Sequence, residues 1–124
     1  MIVKDGLFYT KTHEWLKVDG DVASIGITDF AQNQMSDIVY VDFPKIGASI
    51  KAGEIVGTVE SVKSAEDFYS PITGKVIEVN KVLEKAPEEI NKNPYDAWIV
   101  KLKMSNPSEV SRLMNKDAYE KITK

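Results

Sequence analysis

The chain has 124 residues, 43% of them hydrophobic and 28% charged, which is enough apolar material for the core of one soluble domain over residues 1–124. A net charge of −3, from 16 basic and 19 acidic residues interspersed along the chain, argues against a nucleic-acid surface. Cysteine is absent and histidine occurs once, so thiol nucleophiles, zinc–thiolate sites and disulfide exchange are removed, and no metal site is expected.

Taken in chain order, the pattern is one of short strands between turn signals. Residues 6–9 and 14–18 are extended candidates, and Asp19-Gly20-Asp21 marks a tight turn into a strand over 22–27. A short helix is expected near 28–35, with Thr28 as N-cap and Asp29 at the positive end of the helix dipole. Residues 37–43 carry apolar side chains at both parities, the mark of a strand covered on two sides, and Pro44 ends it. Further short strands follow over 46–50, 55–61, 68–70 and 75–80, then a looser stretch with Pro87 and Pro94, and a last strand over 97–103. Asn106 and Pro107 open a C-terminal helix near 107–121, with Val110, Leu113, Met114, Ala118 and Ile122 along one face. Such spacing describes a mainly β protein, a β-sandwich or flattened barrel. The aromatic residues Trp15, Phe30, Tyr40 and Trp98 are expected to pack inward as core or wall.

No apolar run approaches 18 residues and no basic-then-apolar leader is present, so no membrane partner is expected and the protein reads as cytoplasmic. A mature mitochondrial form reads the same way. The lone His13 has no nucleophile elbow near it, so an enzyme is not expected and no catalytic residue is assigned.

One bend is unusual. Residues 61–66 must reverse the chain between two extended segments, yet Glu60-Ser61-Val62-Lys63-Ser64-Ala65 contains none of the Gly, Asn, Asp or Pro that tight turns demand. Ordinary turn chemistry does not account for these residues. A lysine at such a tip is a reachable primary amine on a long stem, suited to forming an amide.

Several ordered blocks resemble the H-protein of the glycine cleavage system. They are Thr12-His-Glu-Trp15, Gly26-Ile-Thr-Asp-Phe-Ala-Gln32, Asp37-Ile-Val-Tyr-Val41, Glu60-Ser-Val-Lys63 with Tyr69-Ser-Pro71, and Ile90-Asn91 before Asn93-Pro-Tyr95 and Trp98. The resemblance implies a lipoyl/biotinyl-type fold, a barrel-sandwich hybrid, and lipoate attached to Lys63 within the hairpin Glu60, Ser61, Val62, Ser64 and Ala65. It implies a non-catalytic carrier in glycine catabolism. An arm of roughly 14 Å, from summed bond lengths, would take an aminomethyl group from glycine decarboxylase to aminomethyltransferase and electrons to dihydrolipoyl dehydrogenase. A lipoyl ligase or octanoyltransferase would load it. Thr12, His13, Glu14 and Asp67 are implied as a cleft that shelters the loaded arm, with Thr12, Glu14 and Asp67 as polar partners for a cationic cargo.

Two departures from the family pattern concern loops: Met35-Ser36 stands where Leu-Gly is common, and Pro94-Tyr-Asp-Ala-Trp98 is one residue shorter. A biotin carrier is disfavoured because Lys63 lies between Val62 and Ser64 rather than two methionines. The lipoyl domain of a 2-oxo acid dehydrogenase is disfavoured because Asp-Lys-Ala and flexible linkers are missing. A relay donor of octanoyl or lipoyl groups in lipoate assembly would keep the same lysine and stays open as the alternative.

Overall fold

The computed structural model describes residues 1–123. Nine strands and four α-helices follow one another: β1 (Phe8–Tyr9), β2 (Glu14–Asp19), β3 (Val22–Ile27), α1 (Asp29–Met35), β4 (Ile38–Asp42), β5 (Ser49–Ile50), β6 (Ile55–Ser61), β7 (Ala65–Tyr69), β8 (Gly74–Val79), α2 (Val82–Lys85), α3 (Glu89–Lys92), β9 (Val100–Met104) and α4 (Lys116–Ile122), with a 3₁₀ helix at Pro107–Arg112. They form two antiparallel sheets, a six-stranded one in the order β1-β2-β3-β9-β8-β5 and a three-stranded one in the order β4-β6-β7. The architecture is the expected mainly β sandwich.

The alternation of apolar residues explains the layering. Leu16, Ile25, Val76, Val100 and Leu102 from the larger sheet and Val41, Val59 and Phe68 from the smaller one are buried in a common core. A second buried cluster of Leu7, Tyr9, Trp15 and Tyr119 fastens the C-terminal segment to the β1–β2 edge. Gly26 makes the Trp15 position possible, because a Cβ there would lie 2.6 Å from the indole ring.

Four expectations are corrected. The strand over 37–43 is not covered on both sides: Ile38 and Val41 are buried while Val39 and Tyr40 are about half exposed, and the register shifts between Ile38 and Tyr40. That irregularity breaks the period of two on which the expectation rested and turns Tyr40 outward, against its expected inward packing. The C-terminal helix over 107–121 is instead a 3₁₀ turn and a separate α4. Met114 leaves helical geometry to exchange backbone hydrogen bonds with Tyr9, at 2.8 and 3.0 Å, and Asn115 restarts the chain by capping Ala118 N–H. The residue that α4 buries is Tyr119, outside the stripe ending in Ile122, which is about half exposed. The looser stretch holds two single-turn helices, α2 and α3.

Ser36, where the resembled pattern has glycine, takes φ 70° and ψ −152° at the end of α1. This is a region populated almost only by glycine, and holding another residue there costs about 1–3 kcal/mol. Asn91 Nδ2 donates to the Ser36 carbonyl at 2.8 Å and to Gln32 Oε1 at 2.9 Å, which keeps the strained exit in place. Ser36→Gly is expected to stabilise the fold by about 1–2 kcal/mol. A urea midpoint equal to or below that of the parent would contradict this.

Candidate functional site

The β6–β7 hairpin carries Lys63 at its tip. Glu60 pairs with Ala65, and Ser61 N–H donates to the Ser64 carbonyl at 2.7 Å, leaving Val62 and Lys63 as the turn. Neither has positive φ, so the primed turns of ordinary two-residue hairpins do not apply. The Ser61 hydroxyl takes over. It accepts from Lys63 N–H at 3.3 Å and Ser64 N–H at 3.1 Å, and lies 3.2 Å from the Ser64 carbonyl to which it donates. Val62 N–H donates to the Asp37 carbonyl at 2.9 Å, tying the tip to the segment before β4. Turn chemistry is therefore present after all, supplied by a serine side chain rather than by backbone freedom. Lys63 itself is exposed on this fixed base.

A cleft of about 860 Å³ runs from Lys63 along β7 to the segment before β2. It brings Thr12, His13, Glu14 and Asp67 together with Lys63, Ser64 and Ala65. Its other wall comes from Ile27 and from Phe30, Ala31, Gln34 and Met35 in and around α1, which the sequence reading did not assign to the site. The only signal for them was Ile27, Phe30 and Ala31 lying inside one of the resembling blocks. Glu60, Ser61 and Val62 form the tip but do not line the cleft.

Glu14 is 1% exposed. Its Oε1 accepts from the Thr10 hydroxyl and from the Thr12 hydroxyl at 2.5 Å, and its Oε2 accepts from Tyr69 N–H at 3.0 Å. No cationic side chain lies within 4 Å of it among the described residues. A carboxylate offers about four lone-pair directions, so three donors leave room for one more, and a buried anion without a cation favours that donor being charged. Asp67 is exposed and accepts from the Thr58 hydroxyl at 3.0 Å.

His13 is held in place by its neighbours. It holds φ 73°, its ring lies 4.5 Å from that of Phe30, and its Nδ1 is 2.8 Å from the Tyr119 hydroxyl. Burial lowers its pKa from 6.5, against a smaller upward pull from the Glu14 carboxylate. Burial pushes the Tyr119 hydroxyl well above the usual tyrosine range. Among the described residues, no group of three or more His, Cys, Asp or Glu could hold a metal ion, and no helix is long and apolar enough to cross a membrane.

The two antiparallel sheets with their short helices are the lipoyl/biotinyl-type fold that the sequence resemblance implies. The model of the family described as Glycine cleavage H-protein matches residues 7–124. The probable glycine cleavage system H protein of Thermoplasma volcanium is 60% identical over 107 residues, covering 86% of this chain and 88% of its own. The glycine cleavage system H protein of Leptospira biflexa is 55% identical over 117 residues, covering 94% and 90%. The crystal structure of a glycine cleavage system H protein from Mycobacterium marinum matches with a TM-score of 0.88 and 31% identity, over 96% of this chain and 97% of that one. The chain belongs to the glycine cleavage H-protein family.

Two outcomes follow from this geometry. Ser61→Ala leaves two tip amides without their acceptor and is expected to destabilise the protein by about 1–2 kcal/mol, with the Lys63 and Ser64 amides exchanging fastest. Hydrogen exchange at those amides unchanged from the parent would contradict the tip assignment. For His13, a folded-state pKa below 6.5 means that the unfolded chain takes up the proton first. Stability is then complete above about pH 6.5 and is lost as pH falls from there toward the folded value. The slope of thermal midpoint against pH in that window should be shallower in His13→Gln, and an identical slope would rule out His13 as its source.

Proposed function

We propose that this chain is the lipoyl carrier of the glycine cleavage system, with the lipoyl group in amide linkage to Lys63. The observation that carries the reading is the juxtaposition of an exposed, firmly based Lys63 with a cleft ending at a buried carboxylate without a cation. The residues fit the group. The four steps of β7 from Ala65 to Tyr69 rise about 13 Å, comparable with the reach of a lipoyl–lysine arm, so an arm laid along the cleft comes to Glu14. Lipoate, when bound, supplies a disulfide that accepts an aminomethyl group and two electrons at the end of a tether.

The chain's own contribution is placement and shelter. Ser61 fixes the base of the tether, and exposure of Lys63 lets a lipoyl ligase or octanoyltransferase reach its amine. Acylation removes one positive charge, taking the net charge from −3 to −4. The open direction on Glu14 Oε2 accepts a hydrogen bond from the cationic amine of the cargo, while Phe30 and Ile27 keep water from it. Asp67 adds a second carboxylate along the path. No nucleophile or general base of the chain is required; chemistry falls to glycine decarboxylase, aminomethyltransferase and dihydrolipoyl dehydrogenase, to which the carrier travels within the cytoplasm. The alternative, an octanoyl or lipoyl relay in lipoate assembly, carries a neutral chain that gains nothing from a buried carboxylate. Glu14 therefore favours the aminomethyl carrier.

Intact-mass measurement on protein from its native source is expected to show one lipoyl addition on the peptide holding Lys63, absent in Lys63→Arg. Reconstituted with the three enzymes, Lys63→Arg should not support glycine oxidation. Glu14→Gln should accept lipoate normally but lose its aminomethyl cargo roughly ten- to hundredfold faster, the worth of a charged hydrogen bond. Biotin on Lys63, or no adduct, overturns the carrier reading; a lifetime in Glu14→Gln equal to the parent's overturns the role of the cleft.

A further inference from the structure

The arm cleft has a buried hydrogen-bond chain behind its wall. Thr28 is fully buried, and its Oγ1 accepts from Ala31 N–H at 3.2 Å while lying 2.6 Å from the Tyr119 hydroxyl. The Tyr119 hydroxyl in turn lies 2.8 Å from His13 Nδ1. Among the described residues, the only acceptor for the Thr28 hydroxyl proton is Tyr119 Oη. That fixes the direction of every proton in the chain: Thr28 donates to Tyr119, Tyr119 donates to Nδ1, and the imidazole proton must sit on Nε2. A proton on Nδ1 would meet the tyrosine hydrogen head-on and leave a buried hydroxyl proton without an acceptor.

We propose that Tyr119, oriented by Thr28, is a positioning residue for the arm cleft, holding His13 as the neutral Nε2–H tautomer on the wall beside Glu14. This rests on the cleft being the arm's shelter. Its consequence is a complementary pair. Glu14 accepts from a cationic amine, while His13 offers a donor, suited to the arm's amide oxygen or sulfur, and adds no positive charge to repel the cargo. Tyr119 is well placed for such a part. It is fully buried, its ring is stacked at 4.6 Å on that of Tyr9, and α4 docks through it. The groups around the ring are Lys11 and Glu14 of its own segment, Tyr119 of α4 with Tyr9 behind it, Phe30 of α1 with Asp29 next to it, and Lys63, Glu66 and Asp67 lining the same cleft.

Because the chain has one histidine, a long-range ¹H–¹⁵N correlation spectrum of the unacylated full-length protein reads this ring alone. Nε2 is expected to carry the proton throughout the neutral range, with Nδ1 bare. Tyr119→Phe should give a mixture of tautomers, Thr28→Val should do the same, and Thr28→Ser, which keeps the hydroxyl, should retain the parent form. A proton on Nδ1 in the parent, or an unchanged tautomer in Tyr119→Phe, overturns the proposal. Should Tyr119→Phe fail to fold, the parent spectrum and the two Thr28 variants still decide. On the lipoylated carrier, Tyr119→Phe should shorten the cargo lifetime roughly two- to tenfold, the worth of one hydrogen bond. Loss in Glu14→Gln with no change in Tyr119→Phe refutes the positioning role alone, whereas no change in either refutes the cleft itself.

Discussion

The buried carboxylate of Glu14 is the interaction on which the site depends. It lies at the start of β2 in the larger sheet, and through Tyr69 N–H it is bonded to the end of β7 in the smaller one, so one side chain joins the two layers. Burying an anion is costly unless donors surround it, and here Thr10, Thr12 and Tyr69 do so from three directions. Those donors come from the turn before β2 and from the β7 backbone. At this edge, the bond from Tyr69 N–H to Glu14 fastens the end of β7 to the start of β2 beside the cleft. A neutral residue of similar size would satisfy the packing but would remove the reason for three donors to converge. Under the proposed function, this arrangement is a place kept ready for a positive charge.

Around that point, rigidity and reach are divided between two elements. The tip is fixed at the backbone by Ser61 while the Lys63 side chain stays in solvent, so mobility is confined to the stem and whatever is attached to it. A glycine-rich tip would have satisfied the turn equally well but would have let the whole loop move, adding entropy to be lost whenever a partner enzyme binds. Serine gives the reversal without that freedom. The wall facing β7 is built by α1, whose N-cap Thr28 belongs to the same hydrogen-bond chain that reaches His13. Helix start, cleft wall and C-terminal segment are thus bonded into one unit.

Much of this was legible in the chain. The β2–β3 hairpin over Asp19-Gly20-Asp21 and the Thr28 cap follow from local rules that the structure leaves intact, whereas the Lys63 tip was marked only by the extended runs on either side of it, its turn being made by the Ser61 hydroxyl. What could not be read has a common cause, namely bonds between residues far apart in sequence. Met114 leaves its helix because Tyr9 offers a strand partner 105 positions away, and no propensity encodes that. Tyr40 turns outward because the β4–β6 register slips after Ile38. The half of the cleft formed by α1 arises from packing of a helix that the sequence marks only by its Thr28 cap and its first-turn Asp29. Glu14 and Asp67 were named through resemblance to a family, and only the geometry separates them: one is buried and ringed by donors, the other exposed with a single threonine partner.

The Ser36 strain shows how the same network tolerates a local fault. A residue in a glycine-only conformation persists only where its surroundings over-determine it. Here the α1 exit is bonded at Gln32 and Ser36 to Asn91 of α3, and Asn91 Oδ1 also accepts from Ile38 N–H at 2.9 Å, so one amide side chain holds the end of α1, the start of β4 and α3 together. The strand so aligned, β4, is the one whose preceding residue, Asp37, accepts from Val62 N–H at the Lys63 tip. Asn91 therefore acts on the placement of the tip through β4. A loosened α1 exit would be felt first at the hairpin and only afterwards in the core, because the path from Ser36 to Lys63 passes through hydrogen bonds at the sheet edge rather than through the packed interior.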